Sequence, residues 1–462
     1  MLNYIEKHFS RIWLLVFSVD FLILLLTAIV PVKIMNSLSL DTGNLRLIYL
    51  RHHFLVTFVL LSQITLFINE LYNTEKKYEK NLLIFKCIVS FMFVSLGCYL
   101  LSVNFFSYYN CFVISMIACF LILCWRFIFY MIIPKVNIQQ KILFLGTDEL
   151  SKKVVREILA DDHPKYKVAG FIGNDPESVG KSIVNPKVLG LVEDLDSITQ
   201  KEKIKKVIVS CQQARGTFPS KDLVKWRFKG IEVMELHTFY EHLKGKILLE
   251  GLRPSWLIFS RGFKKTKLIK FVKRIFDIML SIIGLLLSLP ISLITALLIK
   301  LDSKGPVIFK QERVGEDGKV FNLLKFRSMK TDAEKHTGPV WAEENDPRIT
   351  PIGRIIRKLR IDEIPQMINV LKGDMSFVGP RPERPYFVDM LSQEIQYYDQ
   401  RHSVKPGITG WAAVNYRYGA SIEDAVEKLQ YDLYYIKNIS LFLDIITILK
   451  TIAIIFGRKY AR

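Results

Sequence analysis

At 462 residues the chain is too long for one ordinary domain. Half of it is hydrophobic and collected in blocks, which excludes a simple soluble globule, and its net charge of +20 calls for anionic partners. The blocks favour lipid and phosphorylated substrates over nucleic acid, for which no aromatic-plus-basic platform or reader motif is present.

Four apolar runs open the chain, at 12–32, 54–72, 82–103 and 111–133. Each is close to the length of about 20 residues needed to cross about 30 Å of hydrocarbon. The first is too long for the apolar core of a cleavable signal peptide. Lys7 and Arg11 precede the first run, Lys76, Lys77 and Lys80 separate the second from the third, and Lys135 follows the fourth. The 102–110 link has no Lys or Arg, so both ends of this four-helix region are expected inside the cell. Lys33, Arg46 and Arg51 on the presumed outer side weaken that bias without reversing it. The runs read as free of embedded charge, which argues against a transporter. Five of the six cysteines lie in or beside apolar runs without zinc or disulfide spacing, and read as small packing residues. The histidines are scattered, and the one pair, His52 and His53, suggests no metal.

From about 140 the pattern changes to strand candidates at 141–146, 168–173, 206–210 and 231–235 with helical stretches between them. Such alternation predicts a doubly wound α/β domain. The dinucleotide fingerprint is poor: Gly146 can be its first glycine, but Asp148 and Ser151 stand where the next two belong. A carboxylate there repels a pyrophosphate. The domain therefore reads as Rossmann-like without an NAD site, serving regulation or scaffolding.

Seven basic residues between Arg261 and Arg274 precede an apolar stretch over 275–299 that carries Asp277 and Pro290. Lys300 and Lys304 follow it. Positive charge on both flanks keeps both ends on one side. Proline removes a helical hydrogen bond and crowds the carbonyl four residues back, here Leu286, with Ser288 in reach of a freed carbonyl. The expectation is a re-entrant helix over 271–300, bent at Ser288, Leu289 and Pro290. A polybasic entry also attracts anionic headgroups.

Residues 307–313 and 319–327 alternate as strands around Gly315-Glu-Asp-Gly318, a hairpin signal. Lys325 and Arg327, two apart, share a strand face and suggest a phosphate clamp. Thr331 and Glu334 then match a capping box with Asp332 at the first helical position. That pattern serves as ordinary helix capping. It also suits an ionised carboxylate nucleophile whose helix N–H groups hold phosphate oxygens. A basic helix bearing Arg357 and Arg360 is expected next, then a helix from 361 closed by Gly373, for which Asp362 suits the N-cap. The run at 441–456, interrupted by Asp444 and Lys450, reads as an amphipathic helix on the membrane or the core.

Five motifs occur in order: Lys-Phe-Arg-Ser-Met (325–329), Asp-Ala-Glu (332–334), Asp-Glu-Ile-Pro-Gln (362–366), Gly-Asp-Met-Ser-Phe-Val-Gly-Pro-Arg-Pro (373–382) and Lys-Pro-Gly-Ile-Thr-Gly-Trp (405–411). In these the stretch from about 267 to 462 resembles the bacterial sugar transferases, the monotopic polyprenyl-phosphate phosphoglycosyl transferases. The four spans and Rossmann-like domain resemble the larger members that initiate exopolysaccharide, capsule or O-antigen synthesis.

The resemblance implies three regions: a transmembrane helical bundle over 1–136, an α/β Rossmann-like cytosolic domain over 137–262 and an α+β catalytic domain over 263–462. The setting is the bacterial inner membrane, multi-pass, with the catalytic domain cytoplasmic. The reaction implied is Mg²⁺-dependent transfer of a sugar-1-phosphate from a UDP-sugar to undecaprenyl phosphate. It would release UMP and pass through a phosphosugar on Asp332. Small family members carry an adjacent Asp-Glu pair, so Glu334 is the alternative nucleophile. Asp362 and Glu363 would be metal-linked or structural acids, Arg381 a phosphate or uridine contact, and Lys405 and Thr409 groups near the nucleotide. An inactive membrane scaffold of a polysaccharide assembly complex is the rival reading. The sugar and the oligomeric state stay open.

Overall fold

The computed structural model describes residues 11–38, 45–69, 71–72, 80–101, 108–132, 140–161, 166–210, 220–263, 266–330, 348–416, 419 and 421–456. Asp332 and Glu334, with their expected capping box, lie outside the described residues, as do Lys7, Lys76, Lys77 and Lys135 of the orientation argument. The chain divides into two compact units, Met1–His242 and Leu243–Arg462.

In the first unit, α1 (Arg11–Leu38), α2 (Leu45–Ile68), α3 (Lys80–Leu101) and α4 (Tyr108–Ile132) arise from the four apolar runs. Each packs on the next and α4 on α1, closing a four-helix bundle. Phe54, Phe58, Phe91 and Cys87 fill its interior, while Leu22, Phe85, Phe93 and Phe120 face outward. Helices apolar all round belong in lipid or in a large core. Among the described residues Asn81–Leu101 and Tyr109–Phe129 are long and apolar enough to cross a membrane, and Leu15–Ile29 and His52–Ile68 are shorter apolar stretches. The expected absence of embedded charge is corrected: Asp20 and Arg126 pair at 2.6 Å, both fully buried. One acid and one base, separated by 106 residues, leave each window apolar on average and so escape a hydropathy reading.

The rest of this unit is a five-stranded parallel sheet in the order β3-β2-β1-β4-β5. Its strands are β1 (Gln140–Leu145), β2 (Tyr166–Gly173), β3 (Val188–Leu191), β4 (Lys206–Val209) and β5 (Glu232–Glu235). Helices α5 (Glu149–Leu159), α6 (Leu195–Lys201), α7 (Ser220–Phe228) and α8 (Leu236–Lys244) accompany it. Leu143, Leu145, Val207 and Val209 pack with Leu195 of α6 and Leu223 and Trp226 of α7 on one face. On the other, Phe144 meets both Phe171 and Phe239 of α8. Four strands coincide with the sequence expectation; β3, four residues around Gly190, is additional.

The second unit contains α9 (Pro254–Phe259) and α10 (Lys267–Asp302), the hairpin β6 (Ile308–Val314) and β7 (Val320–Phe326), α11 (Pro351–Lys358), α12 (Gln366–Lys372) and β8 (Ser376–Val378). After these come α13 (Pro385–Glu394), β9 (Gly407–Thr409), α14 (Trp411–Asn415), α15 (Ile422–Lys437) and α16 (Leu441–Phe456). Residues 243–263 pack here too: Ile247 N–H donates to Gln430 O at 3.0 Å, and Trp411 Nε1 donates to Gly245 O at 2.8 Å.

Helix α10 is continuous over 36 residues with Pro290 inside. Ser288 Oγ donates to Leu285 O at 3.3 Å, rather than to the crowded Leu286 carbonyl. Both ends of α10 are fastened to the unit. Near its start, Arg274 donates to Val370 O and Leu371 O, capping α12, and Asp277 Oδ1 accepts the Phe377 N–H at 3.0 Å. Asp277, an interruption of the apolar run, is thus a buried acceptor for β8. Near its end, Ile299 packs with Phe326 and Ile356. Between these attachments Leu286, Leu287, Leu289, Leu293 and Ile294 are exposed.

The C-terminal helix α16 lies on the core. Asp444 is 1% exposed and pairs with Lys273 Nζ of α10 at 2.8 Å. Lys450 Nζ donates to Asn415 Oδ1 and sits over the Trp411 ring.

Candidate active site

The Asp-Gly signal produces the hairpin: Asp317 and Gly318 both take positive φ (55° and 76°), and Gly315 N–H closes the turn on Lys319 O at 2.8 Å. The register sets Phe309 opposite Lys325. The free edge of β7 is completed by a side chain. Asn369 of α12 accepts the Leu324 N–H through Oδ1 at 2.9 Å and donates through Nδ2 to Asn322 O at 2.8 Å. This stitch holds β7 against the chain that carries Asp362 and Glu363.

Those two acids fall in a 3₁₀ turn, Ile361–Glu363, rather than at a helix N-cap; α12 begins after Pro365 and ends at Gly373 with φ +96°, as expected for its cap. Arg360 lies beyond the helix expected to bear it, in the left-handed region at φ +58°. Glu363 Oε1 accepts from Arg381 Nη2 at 2.9 Å and from Arg360 Nη1 at 3.3 Å, with Lys325 Nζ at 3.9 Å. Burial pushes the Glu363 carboxyl up, but Arg381, Lys325 and Arg360 outweigh it and hold it down at about 2. Burial lowers the Lys325 ammonium to about 8, against the opposing pull of Glu363. Burial and the Glu363 charge raise Asp362, whose Oδ1 is buried and unpartnered among the described residues. Three cations against Glu363, with Asp362 adjoining, leave a surplus of positive charge, with Arg360 and Arg381 at the open side.

The expected clamp of Lys325 with Arg327 does not form. Arg327, 5% exposed, donates to Ser303 O at 2.6 Å, Lys304 O at 2.9 Å, Ser303 Oγ at 3.0 Å and Ile299 O at 3.3 Å. It satisfies carbonyls at the end of α10, the groups a helix C-terminus leaves free. Arg381 takes its place beside Lys325. Thr409 Oγ1 bonds Thr451 Oγ1 of α16 at 2.7 Å, and Lys405 Nζ lies with Arg274 at the α12 cap, so among the described residues neither joins the Glu363 cluster. Sequence reasoning missed Arg401, which supports Arg381 from behind: its Nη2 donates to Arg381 O at 3.0 Å and to buried Asp432 Oδ2 at 2.9 Å. The backbones of Lys330 and Arg348 pair, Lys330 N–H donating to Arg348 O at 3.0 Å, beside the Met329–Ile349 bridge.

Residues 268–458 match the family model described as bacterial sugar transferase. A 186-residue stretch is 44% identical to an exopolysaccharide production protein of Rhizobium leguminosarum and covers 93% of that relative and 39% of this chain. The chain belongs to the bacterial sugar transferase family. The chain is also similar to a UDP-N-acetylgalactosamine-undecaprenyl-phosphate N-acetylgalactosaminephosphotransferase of Aeromonas hydrophila, 45% identical over 50% of this chain and 54% of the relative. A UDP-glucose:undecaprenyl-phosphate glucose-1-phosphate transferase of Escherichia coli is 43% identical over 42% of each chain. The matched stretch thus spans about half the length of these two relatives.

Proposed function

We propose that this sugar transferase moves a sugar-1-phosphate from a UDP-sugar to undecaprenyl phosphate, releasing UMP, at the cytoplasmic face of the bacterial inner membrane. The observation that carries this reading is the surplus of positive charge around Glu363, where Lys325, Arg360 and Arg381 converge. Cations outnumbering their carboxylate are suited to a multiply charged phosphate donor. The names of the Aeromonas and Escherichia coli relatives support the donor and acceptor classes, with N-acetylgalactosamine and glucose as the sugars to test first.

In the proposed route the Asp332 carboxylate attacks the β-phosphorus of the donor. The phosphoanhydride breaks, UMP leaves and the sugar phosphate stays on Asp332. An oxygen of undecaprenyl phosphate then attacks that phosphorus, frees Asp332 and forms the lipid-linked diphosphate. Glu334 is the alternative nucleophile. One phosphoanhydride is broken and one made, so alignment and charge neutralisation dominate the catalysis. Lys325 and Arg381 bind phosphate oxygens, Glu363 orients Arg381, and Arg401 fixes the Arg381 backbone.

Among the described residues no three potential ligands cluster for a metal. Glu363 is engaged by cations, whereas Asp362 offers a buried oxygen without a partner. That suits a phosphate-borne Mg²⁺, which takes only one or two protein carboxylates. Asp362 would hold it, and the ion would screen charge on the bridging phosphates.

A re-entrant course for α10 is supported by its two attachments to the same unit, with an exposed apolar middle around Pro290. Initiation of exopolysaccharide, capsule or O-antigen synthesis is the pathway role that follows.

The test is UMP release by purified protein with UDP-sugar, Mg²⁺ and undecaprenyl phosphate. Asp332→Asn should abolish it, and intact-mass analysis without acceptor should reveal the added sugar phosphate. Normal turnover by Asp332→Asn moves the nucleophile to Glu334 or ends the two-step route. No UMP with any UDP-sugar favours the inactive scaffold, and labelling of residues 310–430 from the periplasm ends the proposal.

A further inference from the structure

The α/β sheet carries a second candidate site, unrelated to the transferase cluster. In an open parallel sheet ligands bind beyond the carboxyl ends of the strands where the strand order reverses. In β3-β2-β1-β4-β5 that point lies between β1 and β4, which pair with Leu145 beside Val209. Just beyond them stand Gly146, at φ +120°, and Ser210, whose N–H donates to Leu145 O at 3.0 Å.

Two buried polar atoms here, one on Ser210 and one on Asp148, have no partner among the described residues. Ser210 is 4% exposed and its Oγ is unbonded. Side chains alternate along a strand, so Ser210 projects to the face of Ile208 and Phe144, away from the Val207 and Val209 core. That is the face of α8, whose Phe239 contacts Phe144, and of α5, whose Glu157 accepts from Tyr240 of α8. At the start of α5, Asp148 occupies the N-cap position without capping the helix. Its Oδ1 accepts from Ser151 Oγ at 2.7 Å, and its Oδ2 is buried and unbonded. Buried polar atoms seldom go unsatisfied, and each one left so costs stability.

The arrangement also restricts what can enter. A pyrophosphate would meet the Asp148 carboxylate where a glycine normally lets it approach the helix. The Gly146 N–H, moreover, is already bonded to Ile172 O at 3.0 Å. The unbonded Asp148 oxygen needs an O–H or N–H, and the Ser210 hydroxyl can accept one and return one.

We infer that the crevice at the carboxyl edge of β1 and β4 binds the vicinal hydroxyls of a neutral ligand, a nucleoside ribose or a hexose, through Asp148 and Ser210. Dinucleotide pyrophosphates are excluded from it. Sugar or nucleoside supply would then be sensed by a domain that performs no chemistry on either.

Ligand-observed NMR on the full chain in nanodiscs tests this with adenosine, methyl glucoside and NAD⁺ as probes. At millimolar concentration adenosine or methyl glucoside should bind, and which one does separates the two sources. Asp148→Ala should weaken that binding at least about tenfold and Ser210→Ala less. Asp148→Asn preserves shape and controls for folding, while NAD⁺ should bind more weakly than the better of the two neutral probes. The inference is overturned if neither probe binds, if binding ignores all three substitutions, or if NAD⁺ binds as tightly as that probe. Arg381→Ala should leave this binding unchanged; a loss there assigns the signal to the transferase cluster.

Discussion

Two groups of charge in the second unit differ in how open they are to water. Around Glu363, with Asp362 adjoining, stand Lys325, Arg360 and Arg381, the two arginines partly exposed. Behind it the charges close on one another inside the fold: Lys273 bridges Asp444 and, at 4.0 Å, Asp277, and Arg401 pairs with Asp432. The closed pairs add further bonds, Tyr435 OH donating to Asp444 Oδ1 at 2.7 Å and Lys273 Nζ to Val378 O at 3.0 Å. Buried charges that close on their neighbours finish the structure, whereas a surplus of cations at an open side is suited to an anionic ligand. Under the proposed function, that difference separates residues that hold the loops from residues that would meet a phosphate.

Substitutions can break that distinction. The largest effect is expected at Lys273→Met, which strands Asp444 in the interior and should cost about 3–5 kcal/mol of stability, read as lost folded yield. Lys273→Met with Asp444→Leu should recover most of it, and a single variant of full stability would refute the supporting role. Arg381→Ala should lower kcat/KM for UMP release about 100-fold, or about 2.7 kcal/mol, with little change in melting temperature. If it unfolds the protein instead, the two groups do not differ in kind.

Arg327→Met sharpens the comparison, because sequence and structure give Arg327 different roles. Loss of its bonds to the end of α10 should cost about 1.5–3 kcal/mol while the folded fraction keeps its turnover. A stable but inactive variant would restore the clamp. The smallest effect concerns pH. His402 is lowered to about 4 by burial and by Arg401 nearby. The neutral ring is the buried form, so its contribution is complete above the unfolded value near 6.5 and is lost as pH falls from there through 4. His402→Phe should flatten the melting temperature over that window.

Periodicity carried much of the fold. Apolar runs announced the bundle helices, and Asp317-Gly318 announced the hairpin. Strand β3 was not legible, because a four-residue segment containing Gly190 has too little alternation to register. The candidate site was legible by motif and only partly by geometry. Lys325, Glu363 and Arg381 meet, yet nothing local distinguishes Lys325 from Arg327, whose partners come from a helix end 24 residues upstream. Arg401 and Asp432 escaped for the same reason, and so did Asp20 and Arg126 in the bundle. A lone charge declares its role only once its distant partner is known.

Arg327 is also a mechanical coupling. It ties the last carbonyls of an apolar helix to the strand that leads toward Lys330. On the proposed re-entrant course, α10 would sink or rise as the hydrocarbon layer thins or thickens, at fractions of a kcal/mol per Å. Through this tie such displacement would be felt at Lys325, making turnover a function of acyl-chain length even with both substrates saturating.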